Sequence, residues 1–325
     1  MKKYFYNLLF LSLLLASCGD GMRTMHRISG KAGEVVVVID NKIWDKSVCD
    51  TVRKLLAPDY PALPQREPVF DIVELQETSF SNIFQLHRNV VLLKVAADTV
   101  PEGISVRHDV WAQPQTVVVV SASNGDNIIS LLAGNRERMI HILEQAERDR
   151  VIGATKKYEA KALRDTVNKH FDGSPYFPMG YTLRKVSTNF IWIGYETNKA
   201  ILGLFIYSYP YKDSSTFHLQ NIIAERNKIL QKEVPGQFEN TYMTTAPLFP
   251  PQTRNIRYKD FHFVETRGLW DIENDFMGGP FISHALIDKT GEKVLALEAF
   301  VYHPRADKRD YIRQLEAILY SFEWK

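Results

Sequence analysis

Apolar positions along this chain fall into three patterns. Short β-branched runs at 34–40 (EVVVVID), 90–95 (VVLLKV) and 116–121 (TVVVVS) have the length and composition of buried strands, and 70–75 (FDIVEL) alternates as a strand. A more exposed strand is expected around 106–111. Helical spacing begins at 43–56, where Trp44, Val48, Val52, Leu55 and Leu56 share a stripe, and a short helix is expected over 80–87. From 124 to about 171 the spacing is helical almost throughout: Ile128, Leu132, Met139, Leu143 and Ala146 form one stripe, continued by Ile152, Leu163 and Val167. Arg136, Arg138, Glu147, Arg148 and Asp149 fall on other faces, and Gly153 predicts a kink or break.

The second half reads as strands at 181–186, 190–196, 201–209, 256–270, 281–287 and 294–302. A helix over 217–232 interrupts them, and a last helix over 307–321 puts Ile312, Leu315, Leu319 and Phe322 on one side. Prolines 58, 61, 64 and 68 make the segment between the first helix and the next strand an extended loop. The loop 172–180 (DGSPYFPMG) marks a boundary. The pattern therefore predicts an α+β protein of two sheet-plus-helix domains joined by a long helix. The expected divisions are 1–17, a signal peptide; 18–32, a lipidated cysteine and flexible tether; 33–172, an N-terminal α/β domain ending in the long helix; and 173–325, a C-terminal α+β domain.

The third pattern is at the N-terminus. Lys2 and Lys3 precede an apolar run over 8–15 broken only by Ser12, much shorter than the ~20 residues that cross a bilayer. Leu15-Ala16-Ser17-Cys18 resembles a bacterial lipobox, which implies cleavage before Cys18 and acylation of its thiol. The alternative is an ordinary secretory cleavage site with Cys18 incidental. A diacyl or triacyl cysteine suffices for stable attachment to a lipid bilayer. Gly21 stands where an acidic surface-export run would begin, which favours the periplasmic face of the outer membrane.

Composition changes this picture in two places. Of the 40 Lys+Arg, two lie in the signal peptide, and the remaining 38 equal the 38 Asp+Glu, so the mature chain lacks the basic excess of a nucleic-acid partner. Cys49 is the one other cysteine. With Cys18 acylated, neither an intrachain disulfide nor a multi-cysteine metal site is expected.

The blocks at 63–68 (LPQREP), 190–194 (FIWIG), Arg267-Gly-Leu-Trp270 and Met277-Gly-Gly-Pro-Phe281, with the lipobox, resemble a family of uncharacterised Bacteroidota-type envelope lipoproteins classed as a domain of unknown function. That resemblance implies an address and no activity. The ending 299–305 (AFVYHPR), Lys308 and the terminal helix are similar to the close of Mog1/PsbP-like α/β/α sandwiches, which implies a non-catalytic binding fold.

Arg267, Trp270, Met277, Gly278, Gly279 and Phe281 are the candidate ligand or partner surface. The glycines permit close approach, the aromatics and Met277 would line an apolar pocket, and Arg267 would hold an anion. The bland alternative is a tight hairpin whose aromatics are core and whose arginine is a tie. Catalytic signatures are weak. Met277-Gly-Gly-Pro lacks the lysine and hydroxyl of a P-loop, no Gly-x-Ser-x-Gly elbow occurs, and neighbours Ser283 and His284 should face opposite ways. His141 with Glu144, and His262, His284 and His303, are weak metal candidates, and no catalytic residue, metal or cofactor is assigned. Among the aromatics of the second half, Tyr209-Pro210-Tyr211 is the subset expected at the surface.

Two functions remain open. One is a non-enzymatic, membrane-tethered binding or scaffolding protein, holding an unknown envelope protein or small ligand. The other is a hydrolase acting on an envelope polymer or glycan through Glu265, Asp271, Glu273 or Asp275, which would require two carboxylates about 5–10 Å apart in a cleft.

Overall fold

The computed structural model describes residues 25–96 and 101–325. The signal peptide and Cys18 lie outside the described residues. The fold is α+β, built on two sheets with helices between and outside them.

The first sheet contains β1 (Glu34–Ile39), β2 (Asp71–Gln76), β3 (Asn89–Val95), β4 (Gly103–His108) and β5 (Thr116–Ala122) in the order β2-β1-β3-β5-β4. All neighbours are parallel except the edge strand β4. Parallel strands are covered on both faces, which explains why β1, β3 and β5 read as unbroken apolar runs. Val35, Val37 and Ile39 face one core, while Val36 and Val38 face a smaller one closed by Phe80, Phe84 and Trp111.

Four helices belong to this half: α1 (Lys46–Leu56), α2 (Gly125–Gly134), α3 (Arg136–Lys157) and α4 (Lys161–Phe171). Asp45 starts α1 by accepting from the Ser47 amide, and Asn124 starts α2 by accepting from the Asn127 amide. The expected single long helix is three. It breaks at Asn135, whose side-chain amide turns back to the Leu131 carbonyl, and again at 158–160, where the backbone pairs with 177–179. Gly153 does not break α3. The expected helix over 80–87 is two single 3₁₀ turns, Glu77–Ser79 and Asn82–Phe84.

The second sheet is antiparallel throughout: β6 (Thr182–Ser187), β7 (Phe190–Glu196), β8 (Ile201–Pro210), β9 (Met243–Thr245), β10 (Gln252–Tyr258), β11 (Phe261–Ile272), β12 (Gly278–Ile287) and β13 (Lys293–Tyr302). Its order is β6-β7-β8-β13-β12-β11, with β9 and β10 both on the outer edge of β11. The strand expected over 256–270 is thus parts of two, β10 and β11, turned at Lys259, which takes a left-handed φ of 52°.

Alternation along β8 assigns the two faces of this sheet. Phe205, Tyr207 and Tyr209 pack with Leu230 of α5 (Leu219–Glu233), whereas Leu202, Leu204 and Ile206 join the core beneath α6 (Arg309–Tyr320). Tyr209, expected at the surface, is therefore buried, Tyr211 is half-buried, and Pro210 alone of the triplet is exposed. Arg226 of α5 is fixed to Glu298 of β13 by three hydrogen bonds of 2.8–3.0 Å, and the Tyr207 hydroxyl donates to the same carboxylate at 3.1 Å.

One apolar cluster runs through both halves. It joins Val35, Val91 and Val118 of the first sheet, Met139, Leu143 and Ile152 of α3, Ile312, Leu315 and Leu319 of α6, and Leu204 and Leu297 of the second sheet. The helices α3 and α6 form the layer between the sheets. The tether expected over 18–32 is partly built in: His26 and Arg27 pair in parallel with Ala112 and Gln113, and Ser29 bridges to His87.

The proline-rich loop ties the start of α6 to the first half. Glu67 is buried and accepts from the backbone amides of Lys308 at 2.8 Å and Arg309 at 2.8 Å, capping α6 across the fold. Arg309 meets Asp71 and the Pro68 carbonyl, and Arg313 reaches the Val69 carbonyl. Replacing Glu67 by Ala should lower the free energy of urea unfolding by about 1–2 kcal/mol at constant m-value, and Gln, which still accepts, should cost less. An unchanged urea midpoint for Glu67→Ala would show that the cap is not supporting α6.

Candidate functional site

The hairpin singled out from the sequence is real, but it is turned inward. Gly279 lies opposite Trp270 across β11 and β12, and a Cβ there would meet the Val301 carbonyl oxygen at 2.1 Å. The close approach expected of this glycine is therefore to the protein's own backbone. Trp270 donates to that same carbonyl at 3.1 Å, and Phe281 packs in the core under the Arg226 guanidinium. Arg267, Trp270, Gly279 and Phe281 are buried and Met277 and Gly278 half-buried, so they form no open apolar pocket. The physical reason is strand alternation, which drives the bulky members of both strands into the sheet's two cores.

Arg267 is the hub of a buried charge network. Its Nε donates to Glu265 at 2.7 Å, its Nη1 to the Tyr60 hydroxyl at 3.2 Å, and its Nη2 lies 3.0 Å from Glu316 on α6. Arg148 of α3 donates to Glu316 at 3.0 Å and stacks 3.8 Å over the Tyr320 ring. Tyr60, from the proline-rich loop, donates to Glu316 at 2.8 Å. Arg254 and Tyr320 donate to Glu265, and the His284 ring lies 3.5 Å from it.

Electrostatics follow from this geometry. Burial acts to raise the Glu316 carboxyl, but the Arg267 and Arg148 guanidiniums overcome it and hold it at about 2. Glu265 is likewise held well below the usual range against burial, chiefly by Arg267 and then His284. Burial lowers His284, against the opposing pull of Glu265. Glu144, also on α3, is raised by burial and by Glu316.

The acids considered for hydrolysis do not assemble. Glu265 is enclosed by its guanidinium partners, Asp271 and Asp275 accept from the following backbone amides, and Glu273 is exposed. His284 stacks on Phe263 and meets Tyr320 edge-on, His303 donates through Nδ1 to the Asp307 carbonyl, and His262 is exposed. Among the described residues no three His, Cys, Asp or Glu gather as metal ligands. Cys49 packs against the core, and burial, then Glu74, raises its thiol.

An arrangement missed in the sequence lies on another face of α3. Glu147, at 1% exposure, accepts from Asn89 at 2.6 Å and from Arg150 at 3.0 Å, and lies 2.8 Å from an Arg88 nitrogen. Arg150 is almost fully used: it also donates to the Pro114 and Arg88 carbonyls and to Asn89, which leaves one Nη1 hydrogen free. Burial lowers Arg150 to about 10, against Glu147 and with Arg88 adding to the fall. Arg88, by contrast, has a buried Nε with no partner. Above this floor opens a cleft of about 1000 Å³ between α3, the 109–116 loop and the segment at Arg27. Glu147 and Arg148 lie off the apolar stripe, and the partners that bury them, Asn89, Arg88 and Glu316, are distant in sequence.

Residues 160–321 match a family model described as a domain of unknown function (DUF4837), and residues 28–156 match a second (DUF8532). Both halves thus correspond to uncharacterised domains, and the matched segments meet at the turn between α3 and α4. No curated protein matches the chain. Among solved structures, a Bacteroides thetaiotaomicron protein aligns at 8% identity and TM-score 0.27 over 47% of this chain and 45% of its own, so less than half of that protein is spanned. LpqN, involved in cell envelope biogenesis of Mycobacterium tuberculosis, aligns at 13% identity and TM-score 0.28 over 45% of this chain and 78% of its own. The lipid transfer and protein localization domain of human StarD13 aligns at 9% identity and TM-score 0.20, over 50% and 95%.

The ion network has a pH signature. Glu316 and Glu265 have depressed folded-state pKa values, so their stabilisation is present above about pH 4.5 and is lost as pH falls below it, for Glu316 toward about 2. Glu316→Gln should cost about 3–5 kcal/mol at pH 6, because Arg267 and Arg148 lose a charged partner, and should flatten the loss of stability between pH 6 and pH 3. Urea midpoints at the two pH values measure both effects; parallel acid limbs for parent and variant would exclude Glu316 from the linkage.

Proposed function

We propose that this is a cell-envelope lipoprotein, held by acylated Cys18 at the periplasmic face of the outer membrane, that acts as a non-enzymatic binding or scaffolding protein. The observation that carries the anchoring is the run ending Leu15-Ala16-Ser17-Cys18. Among the described residues no helix is long and apolar enough to cross a membrane, which fits a body tethered through its N-terminus. Binding rather than hydrolysis is supported by how the charges are used. The network around Arg267 closes on itself between α3, α6 and the second sheet, whereas the cleft over Arg88 offers volume and a partly exposed guanidinium paired to Glu147 alone. Its partner is an envelope protein or a small ligand.

Cys18→Ala should abolish metabolic labelling by palmitate and release the protein from the membrane fraction on ultracentrifugation. A variant that still sediments with membranes and still carries palmitate would overturn the anchor.

A further inference from the structure

The cleft beside α3 has a shape and a charge that the fold itself does not use. Its helical wall includes three small residues, Ala146, Gly153 and Ala154. Gly153 lies inside α3, where glycine is less favourable than any residue but proline. A Cβ at this position would meet no atom within 4 Å, so packing does not demand the glycine and the space above it is empty. Ile28, Val106, Ile142 and an exposed Tyr158 extend the apolar lining. The cleft lies within the range of small-molecule sites, roughly 300–1,000 Å³.

Charge is concentrated at one place in it. Arg88 and Arg150 face a single buried carboxylate, Glu147, which leaves one positive charge at the floor. At the rim, Arg27 and Lys157 balance Asp109 and Asp149. Asp109 is occupied by the Gln115 amide and Asp149 by Gln145. Arg150 keeps only one Nη1 hydrogen free, whereas the Arg88 side chain is paired through Glu147 alone, so most of the floor's free hydrogen-bonding capacity belongs to Arg88, whose side chain is 15% exposed. An apolar wall leading to a guanidinium with unused donors suits a ligand with a tail and an anionic head.

We propose that this cleft binds an amphipathic anion, a single acyl chain ending in a carboxylate, with the chain along Gly153 and Tyr158 and the head on Arg88. The proposal rests on the reading of the protein as a binding protein, and names the class of its ligand.

The test uses the full-length chain carrying Cys18→Ala, so that it is independent of acylation. Failure here leaves the anchor standing, and failure of the anchor leaves this measurement interpretable. A fluorescent dansyl-undecanoic acid serves as the probe, displaced by palmitate, by hexadecanol or by inorganic phosphate. Palmitate should displace it at least about tenfold more effectively than hexadecanol, and phosphate should not displace it. Gly153→Phe fills the open space without a clash in the helix and should weaken probe binding at least about tenfold while melting no lower than the parent. Arg88→Gln should bring palmitate and hexadecanol to equal potency. Probe binding unchanged by Gly153→Phe, hexadecanol equal to palmitate on the parent, or displacement by phosphate alone would each overturn the proposal.

Discussion

Arg267 is held between two carboxylates that lie on different elements, Glu265 on β11 and Glu316 on α6, and most of the architecture depends on that geometry. A guanidinium taken out of water is costly unless its donors are met, and here a third partner, Tyr60, arrives from the proline-rich loop of the other half. Because Arg148 adds α3 to the same cluster, four segments far apart in sequence must be in register before any of these charges is satisfied. Removing one partner leaves a buried charge unpaired. This makes the junction between the two sheets specific as well as apolar.

The surrounding fold is consistent with such a junction. Glu67 caps α6, Arg309 and Arg313 grip the start of β2, and the apolar faces of α3 and α6 fill the space between the sheets. On the far side of the second sheet, Arg226 and Glu298 fix α5 in the same manner. The two halves match separate domains of unknown function, yet a single hydrophobic cluster crosses them.

Much of this was legible in the sequence. The runs at β1, β3 and β5 read as strands because parallel strands are apolar on both faces, and α6 read as a helix from Ile312, Leu315 and Leu319. What stayed hidden was long-range polar pairing. Arg309, Arg313 and Glu316 recur at helical spacing alongside the apolar stripe, the one signal that α6 buries charges, but their partners Asp71, Val69 and Tyr60 are more than two hundred residues away. A shorter separation, of nearly sixty residues, was enough to conceal Glu147 beneath Arg88. The Arg267–Phe281 block drew notice for good chemical reasons, since an arginine, aromatics and glycines do make binding sites. Alternation along β11 and β12 instead spent them on the interior. The cleft could not be seen because it is a gap, left by small residues on α3.

The claim on which these points converge is that the charge network makes one cooperative body of two sheets. Native-state hydrogen exchange tests it most directly. The protected amides of β1, β3 and β5 should share one opening free energy and one denaturant dependence with those of β8, β12 and β13. If the first sheet exchanged through a separate opening of lower free energy and smaller denaturant dependence, the network would not couple the halves and the account would be contradicted.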